Sequence, residues 1–199
     1  MAYRSVAVAG LVLVAFASAL QAQATGMPSF NAPHRAFERH EFGGTLSFPQ
    51  GDVTGIEGQY RFGYKNWDLG VRGGIADTDG GSYVLLGAEG RVRVMTHSQQ
   101  FPLDGALILG AGTQDFDNLL VPLGLSLGRR LVIEDSPVSI IPYAQPTLWF
   151  NFDDVDGNDT VFFGLGLGAD FRLSNTFDVR ASVGVGDVEG FAVSAVWVH

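Results

Sequence analysis

The stretch FFGLGLGADFRL, residues 162–173, sets Gly164, Gly166 and Ala169 in a G-x-G-x-x-A spacing. That spacing can cradle a dinucleotide pyrophosphate when a short buried strand precedes it and a helix opens after it. No helical pattern follows. Val161, Phe163, Leu165, Leu167, Ala169, Phe171 and Leu173 fall on one parity; Thr160, Phe162, Gly164, Gly166, Gly168, Asp170 and Arg172 fall on the other. Period two is the mark of a strand. The glycines therefore read as minimal side chains on one strand face.

Two other groups of residues invite chemistry. DDVDGND offers Asp153, Asp154, Asp156 and Asp159 as oxygen donors for a divalent cation. An EF-hand loop wants Gly at its sixth position and Glu at its twelfth, and counting from Asp154 those positions are Asp159 and Leu165. The run reads first as a hairpin loop rich in turn formers, and no metal is assigned. The histidines are His34, His40, His97 and His199. A Ser or water nucleophile needs a base within hydrogen-bond reach, and none of these histidines lies in the acidic loops. The chain has no cysteine, which excludes thiolate metal sites, disulfides and a Cys nucleophile. No enzyme and no cofactor are expected.

The elements that carry these residues are strands throughout. Ten alternating segments are legible, at about 42–48, 53–64, 67–76, 82–95, 103–114, 119–131, 138–152, 160–173, 177–186 and 190–199. One face of each is bulky and apolar; the other is rich in Gly, Ser and Thr with charges of both signs. The connections also alternate. PQGD, DTDGG, QDFDN, DDVDGND and DVEG are acidic. The intervening ones lie near Lys65, Arg93 with His97, Arg129 with Arg130, and Arg172. An up-and-down meander puts each set at one end, so one rim is acidic and the other basic.

A closed barrel of about eight strands is just filled by its interior side chains. Only the small, polar face could fit inside, so the apolar face must look outward. Water would not tolerate so large an apolar surface, whereas a bilayer requires it. The expected fold is an all-β, closed, antiparallel, up-and-down transmembrane barrel of ten strands, with eight as the alternative. At the N-terminus Arg4, an apolar run and Ala22-Gln23-Ala24 form a secretory signal pattern, with cleavage expected before Thr25. The expected organisation is a signal peptide at 1–24, a periplasmic arm at 25–40 and a barrel at 41–199. A net charge of −9 excludes the basic face that nucleic acid needs.

The signal pattern, Gly-rich alternating strands such as FFGLGLGADFRL, and the final strand GFAVSAVWVH resemble the small OmpA/OmpW-like outer-membrane barrels of bacteria. The resemblance covers about residues 40–199 and implies an outer-membrane address in a Gram-negative-type envelope, with both termini periplasmic. It also implies recognition of the last strand by the barrel-assembly machinery. His199 departs from the family's terminal aromatic residue. The partners expected are outer-membrane lipid and the barrel-assembly machinery, with a small hydrophobic solute the lumen's partner only where its mouth is open; a monomer is expected.

Two sets of lumen residues follow from the parity. A turn at 174–176 sets Arg172 against Asp178 and Asp170 against Arg180. A turn near Tyr64-Lys65 sets Arg61 against Asp68 and Glu57 against Arg72, and a longer connection brings Arg93 near Asp104. Toward the acidic rim, Tyr83, Leu85, Leu120, Pro122, Trp149 and Phe162 are apolar or aromatic residues on the lumen face. They either pack together as a plug or line a mouth for a hydrophobic solute. The resulting expectation is a charge-braced, largely plugged barrel, structural or solute-binding. A narrow channel for polar or hydrophobic solutes is the alternative, and an outer-membrane enzyme is a third reading.

Overall fold

The computed structural model describes residues 24–33, 37, 39–153 and 160–199, apart from the Asp153 side chain. The strands are β1 (Glu41–Pro49), β2 (Thr54–Tyr64), β3 (Trp67–Thr78), β4 (Gly81–Met95), β5 (Asp104–Gln114), β6 (Asn118–Gly128), β7 (Leu131–Val132), β8 (Ser139–Asp153), β9 (Thr160–Arg172), β10 (Phe177–Gly186) and β11 (Gly190–Val198). Each pairs antiparallel with its neighbour. β1 pairs with β11 from Glu41↔Val198 to Pro49↔Gly190, and β6 pairs with β8. The sheet is therefore a closed barrel of ten long strands, which settles the count against eight. β7 is a two-residue addition that pairs only with the start of β8.

The faces fall as the alternation requires. Phe42, Leu46, Ile56, Leu69, Val71, Ile75, Leu109, Leu167 and Val193 point outward and are exposed. Glu57, Arg61, Asp68, Arg72, Asp170, Arg172, Asp178 and Arg180 point inward and are buried. At the basic end the outside carries His40, Phe42, Tyr60, Phe62, Tyr64, Trp67, Phe177, Trp197 and His199 as a run of touching rings, among them Phe62 over His40 at 4.5 Å and Phe177 against Trp197 at 4.9 Å. Phe48 and Phe191 stack at 4.7 Å toward the acidic end. His199 closes the basic-end group, and its N–H donates to the His40 carbonyl at 2.9 Å.

The acidic loops use some of their carboxylates to finish the strands. Asp115 Oδ1 accepts the Val84 N–H at 2.6 Å, and Asp187 Oδ2 accepts that of Phe163 at 2.8 Å. These are strand-end backbone groups that need a partner. Of DDVDGND, residues 154–159 and the Asp153 side chain lie outside the described residues, and so do residues 1–23 with the signal pattern.

Within 25–40, the expected periplasmic arm, residues 25–33 and Phe37 lie elsewhere. Residues 24–33 run inside the barrel, from near the acidic rim down toward the start of β1, and all are buried. Phe37 follows them in the lower lumen. A ten-stranded barrel is wider than one its own side chains fill, and this segment takes up the difference.

Candidate functional site: the occupied lumen

The inner segment is held by side chains of the wall. Its carbonyls would otherwise be buried polar groups without partners, each costing about 1–3 kcal/mol. Gln114 Nε2 donates to the Thr25 carbonyl at 3.1 Å, Ser182 Oγ to that of Pro28 at 2.8 Å, and Tyr143 Oη to that of Phe30 at 2.7 Å. Ser126 Oγ donates to the Asn31 carbonyl at 2.8 Å and Arg91 Nη1 to that of Ala32 at 2.9 Å. Arg72 donates to Ser29 Oγ, and Arg180 to Asn31 Oδ1 at 3.0 Å.

The glycines of the lumen face make room for it. A Cβ on Gly55 would lie 2.9 Å from the Met27 sulfur, one on Gly112 would lie 1.5 Å from the Ala24 carbonyl oxygen, and one on Gly128 would lie 3.1 Å from Pro33. On β9 a Cβ at Gly166 would enter the Phe30 ring, at 2.3 Å. Gly164 leaves space for Val188 and Trp149, and Gly168 for Tyr143. The apparent phosphate motif is thus the seat of Phe30 and its neighbours. Gly166→Val is expected to destabilise the barrel by about 1–3 kcal/mol through overpacking. Phe30→Ala in the same chain should return part of that loss, measured by urea unfolding in detergent; strictly additive losses would place Phe30 elsewhere.

The apolar residues expected near the acidic rim divide between two separate clusters, and the chain itself covers both. Trp149 stacks on Phe162 at 5.7 Å and joins Phe30, Ala32, Ile141, Tyr143 and Val188. Leu85 packs with Met27, Ala76, Val53 and Tyr83. Leu120 is buried, and Pro122 faces Trp149 in the β6–β8 register. The strand pairing alone leaves these residues facing a mouth; Met27, Phe30 and Val188 occupy it.

Below lies a network of ion pairs. Arg61 reaches Asp68, Glu89 and, at 3.7 Å, Glu41. Arg91 holds Asp68 at 3.0 Å. Arg180 holds Glu41 at 2.7 Å, Asp170 at 3.3 Å and Asp178 at 3.7 Å. Arg72 lies 3.6 Å from Glu57 and donates to Gln59 at 3.2 Å. Asp170 faces Arg180 and Asp178 faces Arg172, the register that a turn at 174–176 implies.

The β2–β3 register is offset from the expected one. The turn is the pair Lys65-Asn66, with Lys65 at φ 55°, and it joins Tyr64↔Trp67. Arg61 therefore faces Gly70 and Arg72 faces Gln59, and the ion pairs to Asp68 and Glu57 run diagonally along the lumen face. The expected Arg93–Asp104 pair is replaced. Arg93 stands opposite Ala106 in the regular β4–β5 register, the irregularity falling only between Arg93 and Met95, and its guanidinium lies 5.0 Å from the Phe37 ring centre. Asp104 instead accepts the His97 N–H at 2.9 Å, with the His97 ring Nδ1 at 2.8 Å from its other oxygen.

Glu41, Glu89 and Arg91 belong to the network but escape a pairwise reading. Glu41 precedes the first alternating apolar residue, yet it shares parity with Gly43, Thr45 and Ser47, and that parity marks the lumen. Among the described residues no group of three His, Cys, Asp or Glu is placed to hold a metal ion.

The fold and its inverted faces define the class: a closed up-and-down β-barrel of the transmembrane type. Among solved structures the chain is similar to a de novo designed transmembrane β-barrel, at 10% identity over 85% of this chain and 98% of that one, with a TM-score of 0.42. It is also similar to a bacterial polysaccharide outer membrane secretin, at 14% identity over 86% and 67%, with a TM-score of 0.44. A third is the β domain of the Bordetella autotransporter Brka, at 16% identity over 81% and 99%, with a TM-score of 0.49. No protein-family model matches the chain, and no curated protein matches it.

Proposed function

We propose that this protein is an outer-membrane β-barrel with an occluded lumen, a structural or small-solute-binding barrel of the OmpA/OmpW-like kind. The observation that carries the reading is the inversion of the faces: a continuous apolar outside, with aromatic rings toward both ends, around a polar interior. Tyr and Trp rings suit the interface between hydrocarbon and headgroups. Occlusion is supported by the buried segment 24–33 and by the ion pairs that cross beneath it. The channel reading is the weaker one, because the passage would need both to move. The His97–Asp104 contact supports no catalytic role: the same carboxylate takes the His97 backbone and ring, which fastens the β4–β5 loop.

Purified chain should stay dispersed only in detergent or lipid and should shift its gel mobility on boiling. In planar bilayers it should insert without steady conductance. A protein that is monodisperse in plain buffer would defeat the membrane reading. A stable ohmic pore from the intact chain would replace occlusion with transport.

A further inference from the structure

Glu57 is buried in the upper lumen, 2% exposed, and its Oε2 accepts no hydrogen bond. Arg72 is its nearest cation, at 3.6 Å, but that guanidinium spends donors on Ser29 and Gln59. The other oxygen, Oε1, takes the Thr25 hydroxyl at 2.6 Å. Thr25 is the residue that the Ala22-Gln23-Ala24 pattern leaves first in the processed chain. A leftover carboxylate oxygen and a prospective amino terminus thus meet at one residue.

The charge balance points the same way. Among the described residues the fully buried lumen carboxylates are Glu41, Glu57, Asp68, Glu89, Asp170 and Asp178, with Asp104 lower down beside His97. The buried guanidiniums are Arg61, Arg72, Arg91, Arg172 and Arg180, with Arg93 half-buried over Phe37. By either count one carboxylate is in excess, and an excess charge in such a place is costly unless paired.

We infer that the upper lumen is a binding site for the protein's own processed amino terminus, the Thr25 ammonium, with Glu57 as its counter-ion. Resting on the export reading above, the inference adds a use for the cleavage. Water and a signal endopeptidase hydrolyse the Ala24–Thr25 amide. The C–N bond breaks, Ala24 leaves as a carboxylate, and the Thr25 nitrogen becomes an ammonium with three donors. In the unprocessed chain Ala24 lies against Gly87 and Gly112, where added Cβ atoms would lie 2.8 Å and 1.5 Å from it. In a chain that starts at Thr25 that space is left to the ammonium and its hydration. Gln114 fixes Thr25 through its carbonyl. Cleavage thereby converts a neutral amide into a cation beside Glu57, where the charge count of the described residues is one cation short.

The composition provides a clean test. Lys65 is the one lysine in the chain, and it is exposed in the β2–β3 turn. The processed protein therefore carries two amines. The full barrel is exported, extracted from membranes in detergent and treated with formaldehyde and cyanoborohydride, and each site is read by mass spectrometry. The chain is expected to begin at Thr25. Lys65 should label promptly and the Thr25 amine more than about tenfold more slowly, catching up only on unfolding, because labelling waits for local opening. Glu57→Gln should speed labelling at Thr25 and leave Lys65 unchanged. A chain that begins at another residue, or equal labelling of both amines in the folded barrel, would overturn the inference. The boiling shift, read on the same sample, reports separately whether the membrane barrel itself is intact.

Discussion

Arg61→Met is expected to cost the barrel about 3–5 kcal/mol, the range for breaking a buried ion pair by removing one partner. Arg61 touches three carboxylates on three strands: Glu41 on β1, Asp68 on β3 and Glu89 on β4. Asp68 keeps Arg91 and Glu41 keeps Arg180 after the change. Glu89 is hit hardest, since its Oε1 loses the Arg61 donor and its Oε2 has no hydrogen bond to fall back on. Against a typical stability of about 5–15 kcal/mol, the loss should show as a large fall in the urea midpoint in micelles. Glu89→Gln in the Arg61→Met background should recover part of it, which separates stranded charge from lost packing. High salt should do little to the wild-type midpoint, because buried pairs are poorly screened. Arg39→Ala serves as the comparison, since that side chain is exposed and, among the described residues, donates to the Asn175 carbonyl. Equal midpoints for Arg61→Met and Arg39→Ala would remove Arg61 from the centre of the network.

The barrel was legible because period two records the face of every residue independently of its partners. Val161 to Phe171 point out and Phe162 to Arg172 point in whatever the register. Register is a finer property. It held between β9 and β10, where the Ser-Asn-Thr connection leaves Asp178 opposite Arg172. It slipped between β2 and β3, where the turn is set by a left-handed Lys65 that composition does not announce. It differed again at Arg93, which the regular β4–β5 register sets opposite Ala106, two residues from Asp104. The inner segment has no period at all. Met27 and Phe30 are seated by the wall, and the segment's carbonyls are taken by side chains from five different strands: Arg91, Gln114, Ser126, Tyr143 and Ser182. Its trace in the sequence lies in what faces it. Gly55, Gly87, Gly112, Gly128 and Gly166 all share the lumen parity, and a lumen face so stripped of side chains on a ten-stranded wall implies that something else fills the space.

Deleting residues 25–33 is expected to turn a sealed barrel into a conducting one. Every strand pair from β1 to β11 is independent of the segment, so closure should survive. The deleted stretch buries Met27 and Phe30, each worth about 1.5–3 kcal/mol, so the variant should unfold at lower urea. The wall donors that held its carbonyls would turn to water, which a lumen lined by Arg, Gln, Ser and Tyr accepts readily. What then limits passage is the bridge from Glu89 through Arg61, Glu41 and Arg180 to Asp170, which spans the lower lumen. The expected signal in planar bilayers is therefore a small step conductance, favouring cations because the described lumen residues carry one excess carboxylate. Adding Arg180→Ala should widen it and strengthen that preference. A deletion variant that inserts, shifts on boiling and still passes no current would show that the ion-pair bridge alone seals the barrel. The inner segment would then be a filler of volume, and the seal would have to be sought in Arg61 and Arg180.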